Sequence, residues 1–207
     1  MNQYAHALLK LGAVKLSPQN PFLYASGLKG PMYCDNRALL SHPVSRNLII
    51  DGLIHLQNGL DYNQLAGLAT AGIPHAAMMA DRLKKPMCYV RSKPKEHGRG
   101  NQVEGDVSPG ETVLMIEDLV NQGSSLRDAV NGVRKADLKV VDCLCIVNYQ
   151  MPKAKSTCEQ LEIKLHSLVT FDDLIQAALE LNVVTNADIL TLKNWHNDPE
   201  AWSKQWS

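Results

Sequence analysis

Glu117 and Asp118 stand side by side at the end of an apolar run, and Gly123, Ser124 and Ser125 follow a few residues later. Adjacent carboxylates suit hydrogen bonds from a pair of sugar hydroxyls. A glycine ahead of serines that open a helix suits a phosphate. The first N–H groups of a helix point out of its start, and glycine lets an anion approach closely. The hydroxyls of Ser124 and Ser125 add donors. Carboxylates beside such a cradle fit a phosphorylated sugar better than a bare phosphate. The plainer alternative is a paired acidic strand end with an ordinary helix cap.

A second group is cationic. Within Arg91 to Arg99 four cations, Arg91, Lys93, Lys95 and Arg99, stand against the single Glu96, with His97 and Gly98 among them, and Gly100, Gly105 and Gly110 follow. Ser92 to Gly110 is poor in apolar residues, and a loop that long within a compact domain is usually functional or disordered. Concentrated positive charge on a movable, glycine-rich loop suits an anionic leaving group and a lid that excludes water. A solvated basic loop is the bland reading of the same residues.

Other phosphate and nucleophile motifs are missing. No glycine is followed by lysine, which excludes the P-loop, and neither G-x-G-x-x-G nor G-x-S-x-G occurs.

The elements that must position these groups alternate. Tyr4, Leu8 and Leu11 predict an opening amphipathic helix, ended by Pro18 and Pro21. Phe22 to Arg37 reads as turns and short strands. Ser41 is expected to cap a second helix, with Pro43 in its first turn and Val44, Leu48 and Ile54 on its buried side. Strands are predicted over Gln64 to Ala69, Met87 to Arg91, Thr112 to Ile116, Lys139 to Val147 and Leu165 to Val169. Helices are predicted from Ile73 to about Leu83, from about Ser125 to Ala136, from Phe171 behind a Thr170 cap, and beyond Thr185. Trp195, Trp202 and Trp206 read as packing residues. The Val113 to Ile116 run, apolar on both faces, predicts a buried parallel strand. The rhythm predicts an α/β fold with a mostly parallel central sheet and helices on both faces.

Composition narrows the partners. Lys plus Arg and Asp plus Glu both number 21 in 207 residues, so there is no global basic field for nucleic acid. The length suits a single domain over 1–207. Cys34, Cys88, Cys143, Cys145 and Cys158 follow no C-x-x-C spacing, which indicates neither a zinc site nor a disulfide framework. No signal peptide shows, and Asp51 and His55 interrupt the apolar cluster from Leu48 to Leu56. A reducing cytoplasm, with no membrane and no nucleic acid, is the expected setting.

The run from Val113 to Ser125, with four hydrophobics, two acids and a small polar loop, resembles the motif that binds phosphoribosyl pyrophosphate (PRPP) in type I phosphoribosyltransferases. Tyr89-Val-Arg-Ser-Lys-Pro-Lys-Glu-His-Gly98 with Asn101-Gln-Val-Glu-Gly105 resembles the catalytic loop of the orotate phosphoribosyltransferases. Phe22 to Arg37, with Ser26-Gly27 and Pro31 to Arg37, is similar to that family's N-terminal substrate region, which the resemblance places in residues 1–40, and Gly67-Leu-Ala-Thr-Ala-Gly72 is similar to its pyrophosphate loop.

The resemblance implies transfer of phosphoribose from PRPP to orotate, in pyrimidine nucleotide synthesis. It puts Glu117 and Asp118 on the ribose hydroxyls. Leu119, Val120, Asn121, Gln122, Gly123, Ser124 and Ser125 complete the PRPP site, and Asn121 also touches orotate. Arg91, Lys95 and His97 contact PRPP and pyrophosphate, and with Asp118 they form the catalytic set. A homodimer with shared sites is implied. So is Mg²⁺, coordinated by substrate phosphate oxygens with few protein ligands. The chain departs from the usual pattern at Gln122 and Ser124, where family members often carry threonine and glycine. Ser92 and Ala25 stand where relatives often have lysine. A transferase for another base and a non-catalytic PRPP-binding regulator are the other readings of these residues.

Overall fold

The computed structural model describes residues 2–94 and 101–206. In chain order the elements are α1 (Gln3–Leu11), β1 (Val14–Leu16), β2 (Phe22–Leu23), β3 (Lys29–Gly30), β4 (Met32–Cys34), a 3-10 helix (Asn36–Ser41) and α2 (Pro43–Leu56). Then come β5 (Gln64–Leu68), α3 (Gly72–Leu83), β6 (Met87–Val90), β7 (Val103–Glu104), β8 (Thr112–Val120), α4 (Ser124–Lys135) and β9 (Lys139–Asn148). The chain closes with α5 (Pro152–Gln160), β10 (Lys164–Thr170), α6 (Phe171–Glu180), α7 (Asn186–Asn197) and α8 (Pro199–Lys204). These elements fall into two compact units, Arg46–Thr170 and Met1–Ser45 with Phe171–Ser207.

The Arg46–Thr170 unit is built on a six-stranded sheet in the order β10-β9-β8-β5-β6-β7. Every neighbouring pair is parallel except the edge pair β6 and β7. Helices flank it, as an α/β sheet requires to bury both its faces. Strand β8 runs through the middle, and Leu114, Met115 and Ile116 on it are at most 1% exposed. Each such side chain contributes roughly 1.5–3 kcal/mol by leaving water. Cys143 and Cys145 on β9 are buried, and all five cysteines are free thiols.

The order of this sheet decides where a ligand can sit. From β5 the chain crosses through α3 to β6 on one side, and β8 then lies on the other side of β5. The connections leaving β5 and β8 therefore run in opposite directions. A crevice opens beyond the carboxyl ends of those strands, which is where open α/β sheets bind ligands.

In the other unit, α1 packs on α6, with His6 Nε2 2.9 Å from Glu180 Oε2. Trp195 is buried against Phe171, with ring centroids 6.1 Å apart, and Trp202 packs on Trp206 at 5.3 Å. All three tryptophans thus serve packing. Thr185 and Asp188 close a reciprocal capping box at the start of α7.

Several expected boundaries change. Helix α1 ends at Gly12, whose φ of 76° turns the chain into β1, so Pro18 and Pro21 do not end it. Ser41 closes the 3-10 helix rather than capping α2. Val44 on α2 is 87% exposed, and Ile49, Ile50 and Leu53 form the buried stripe, with Leu48 and Ile54 half-buried. Strand β8 runs on to Val120, so both acids lie within it. Ser92 to Gly110 is not wholly loop: Val103 and Glu104 pair with Val90 and Tyr89, anchored by the buried Val103. Helix α5 was not expected, although Pro152 at its start and the spacing of Ala154, Thr157 and Cys158 signal it.

Candidate active site

The acid pair lies at the carboxyl end of β8, beside the crevice. Glu117 pairs with Cys145 of β9 and is buried, while Asp118 is half-buried. The Asp118 N–H donates to Glu117 Oε1 at 2.9 Å. Burial, reinforced by the Asp118 carboxyl beside it, pushes the Glu117 carboxyl well above the usual carboxylate range.

Asn121 and Gln122 lead from β8 to Gly123, whose φ of 82° is left-handed. Gly123 also lies against α5: a Cβ there would come within 3.0 Å of Ala154 Cα. Both its backbone conformation and its surroundings therefore demand glycine. Ser124, by contrast, is the first residue of α4, so its departure from glycine places no strain on the turn. The N-cap residue of α4 is Gly123, which has no side chain to cap the helix, so among the described residues the first N–H groups of α4 stand at the cleft without a capping acceptor. Arg127 braces the helix by donating to Thr157 Oγ1 and Gln160 Oε1 of α5, at 2.9 and 3.1 Å.

A cleft of about 340 Å³ runs along Glu117, Leu119, Val120 and the loop from Asn121 to Ser125. A neighbouring hollow of about 160 Å³ shares Glu117 and Ser125 with it and is walled by Ala69, Arg91, Ser92, Gln102 and Asp128. Arg91 directly follows β6, and its Nη1 lies 3.5 Å from Glu104 Oε1. The first turn of α3 enters from the β5 side. Gly72 lies so close to the carbonyl of Ile116 on β8 that a Cβ would sit 3.2 Å from the carbonyl carbon and nearer still to its oxygen.

Glu117, Leu119, Val120, the loop from Asn121 to Ser125 and Arg91 thus line two adjoining hollows, with Asp118 next to them in β8. Lys95 and His97 lie outside the described residues. Lys93 is exposed beyond Arg91. Sequence reasoning did not single out Gln102, Glu104, Asp128 or His75. His75, on α3, is buried, and neither of its ring nitrogens has a hydrogen-bond partner among the described residues. Burial pulls its pKa down, and the nearby Asp118 opposes this. An acidic residue beside a cationic loop was the available signal for Glu104. The others meet the site only through the fold.

Residues 53–177, more than half of the chain, match the model of the phosphoribosyl transferase domain. Among its relatives is an orotate phosphoribosyltransferase of Listeria innocua, 45% identical over 204 residues and covering 98% of each chain. Another, of Bacillus subtilis, is 43% identical and covers 98% of this chain and 94% of the relative. The crystal structure of orotate phosphoribosyltransferase from Aeropyrum pernix superposes with a TM-score of 0.71 at 29% identity, over 86% of this chain and 99% of that one. By the acid pair on β8, the helix start that follows it and this likeness along nearly its whole length, the chain belongs to the orotate phosphoribosyltransferase family.

Proposed function

We propose that the chain is a pentosyltransferase that moves the 5-phosphoribosyl group of PRPP onto orotate, giving orotidine 5-phosphate and pyrophosphate in pyrimidine biosynthesis. The observation that carries this reading is the continuity of β8, Gly123 and α4. One unbroken segment presents two carboxylates and then an uncapped helix start, at the crevice where the sheet order reverses.

Glu117 and Asp118 hold the ribose hydroxyls. The backbone from Leu119 to Ser125, with the hydroxyls of Ser124 and Ser125, holds the 5-phosphate. Gln122 contributes its main chain, and Asn121 also contacts orotate. Arg91, Lys95 and His97 neutralise the diphosphate. The bond from C1 of the ribose to the diphosphate oxygen breaks, and its electron pair leaves with pyrophosphate. N1 of orotate forms the new bond to C1 through a transition state of oxocarbenium character, and the proton that N1 carried is released to solvent. No covalent nucleophile is needed, because alignment of the reactants and neutralisation of the leaving group supply the rate.

The donor set fits a metal held chiefly by substrate. Among the described residues no group of three or more His, Cys, Asp or Glu could hold an ion by itself, so an ion here would depend on substrate oxygens, with the half-buried Asp118 as the nearest carboxylate able to add to them. Mg²⁺, when bound with the substrate, would supply neutralisation of charge on the diphosphate. A homodimer is part of this reading, with Lys95 serving the partner's site, as is a cytoplasmic setting in keeping with five free thiols.

Loss of orotate absorbance on adding PRPP and Mg²⁺ tests the reaction, with adenine, hypoxanthine and uracil as competing bases. Turnover of another base in place of orotate would replace the substrate, and binding of PRPP with no turnover of any base would favour a regulator.

A further inference from the structure

We infer that Gln102 is a positioning residue, which ties Arg91 to α4 and so fixes the diphosphate-binding cation relative to the phosphate loop. This rests on the proposed reading of Arg91 and of the loop at Gly123.

Pairing between β6 and β7 stops at Val90 and Val103. One step further on, Gln102 takes both backbone groups of Arg91. The Arg91 N–H donates to the Gln102 carbonyl at 2.9 Å, and Gln102 Nε2 donates back to the Arg91 carbonyl at 2.9 Å. The same Nε2 reaches the Asp128 carbonyl on α4 at 3.4 Å. One carboxamide thus joins the residue that carries the guanidinium to the helix whose first turn is the phosphate cradle. Gln102, Arg91, Asp128 and Ser125 wall one hollow together with Glu117.

Gly132 makes the contact possible. In an α-helix the carbonyl of residue 128 already accepts the N–H of residue 132, so a second donor must approach over residue 132 itself. A Cβ at Gly132 would come within 2.5 Å of Gln102 Cδ and nearer to Oε1. A glycine inside α4 weakens the helix, and the space it leaves is filled by the Gln102 carboxamide. The obstacle is the end of a flexible side chain. Alanine at 132 would therefore push Gln102 aside without breaking the backbone, and Arg91 would lose its tie.

The test compares Gln102→Ala, Gly132→Ala and the double variant with the unmodified protein. Steady-state kinetics and calorimetric PRPP binding are measured on each. Each single variant should weaken PRPP binding and raise KM for PRPP about five- to tenfold, the worth of one hydrogen-bonded tie, with KM for orotate little changed. The midpoint of thermal unfolding of Gly132→Ala should equal or exceed that of the unmodified protein, since alanine favours helix. The double variant should be no worse than Gln102→Ala alone, because the two changes remove one contact. Normal PRPP binding in Gly132→Ala would overturn the inference, as would single losses that multiply in the double variant. Equal losses for PRPP and orotate with a lowered unfolding midpoint would also overturn it. Absence of orotate turnover by the unmodified protein speaks against the reaction alone, since PRPP binding is read without the base.

Discussion

Glu117 accepts a hydrogen bond from the backbone of its neighbour Asp118 at 2.9 Å, and of the two side chains only that of Glu117 is buried. Adjacent residues on a strand point to opposite faces, so one acid is sunk between β8 and its neighbours while the other stays half-accessible.

The pair predicts a pH signature. The folded-state pKa of Glu117 is raised, first by burial and then by Asp118, so the native chain binds a proton that the unfolded chain releases. Stability from this group is complete below the ordinary Glu value of about 4.3 and falls as pH rises toward the elevated one. Glu117→Gln removes that loss. Its unfolding midpoint relative to the unmodified protein should therefore climb as pH rises above about 4.3. A pH-independent difference would contradict the assignment. Activity should fall in the same variant. In Asp118→Asn, kcat/KM for PRPP should drop roughly 10- to 100-fold, the range for a hydrogen bond to a charged group.

The Arg91 to Glu104 pair, at 3.5 Å with Arg91 41% exposed, predicts competition. Glu104 draws on the cation that the diphosphate would engage. Glu104→Gln should tighten pyrophosphate binding two- to threefold by calorimetry and shift stability by less than about 1 kcal/mol, as such a solvent-screened pair warrants. Weaker pyrophosphate binding would show that Glu104 orients Arg91 instead.

Gly72 carries a structural prediction. Its obstacle is the Ile116 main chain in the central strand, which cannot swing away. Gly72→Ala should lower stability by about 1–3 kcal/mol, the cost of overpacking a close-packed interior. Chemical denaturation measures it, and an unchanged midpoint would contradict the close approach.

Much of this was legible in the sequence. The Val113 to Ile116 run is apolar on both faces because β8 is buried on both, and the polar residues after it mark the point where the strand leaves the core. The acids and the phosphate loop are contiguous, so their chemistry can be read without a fold. Gln102, Asp128 and Gly132 are different. They act through bonds spanning 11 and 26 residues, which local spacing does not encode. His75 reads as one polar residue in an amphipathic helix, and only packing shows it buried near Asp118. Helix α5 is masked by Lys153, Lys155 and Ser156 around its short buried stripe.

The proposed shared-site dimer carries a quantitative prediction. Lys95→Ala and Asp118→Asn homodimers should each keep at most about a tenth of the unmodified activity. Subunit exchange between them should yield about half heterodimers, each with one intact site, and so restore roughly a quarter of the unmodified activity. No recovery in an exchanged mixture would place Lys95 in its own subunit's site.

The most direct measurement follows orotate and pyrophosphate together in one reaction with PRPP and Mg²⁺, for the unmodified protein and for Asp118→Asn. Orotate should disappear in step with pyrophosphate release, one for one, adenine and hypoxanthine should not substitute, and Asp118→Asn should be slowed while remaining folded. Pyrophosphate release with no loss of orotate, or full activity in Asp118→Asn, would contradict a phosphoribosyl transfer to orotate at the end of β8.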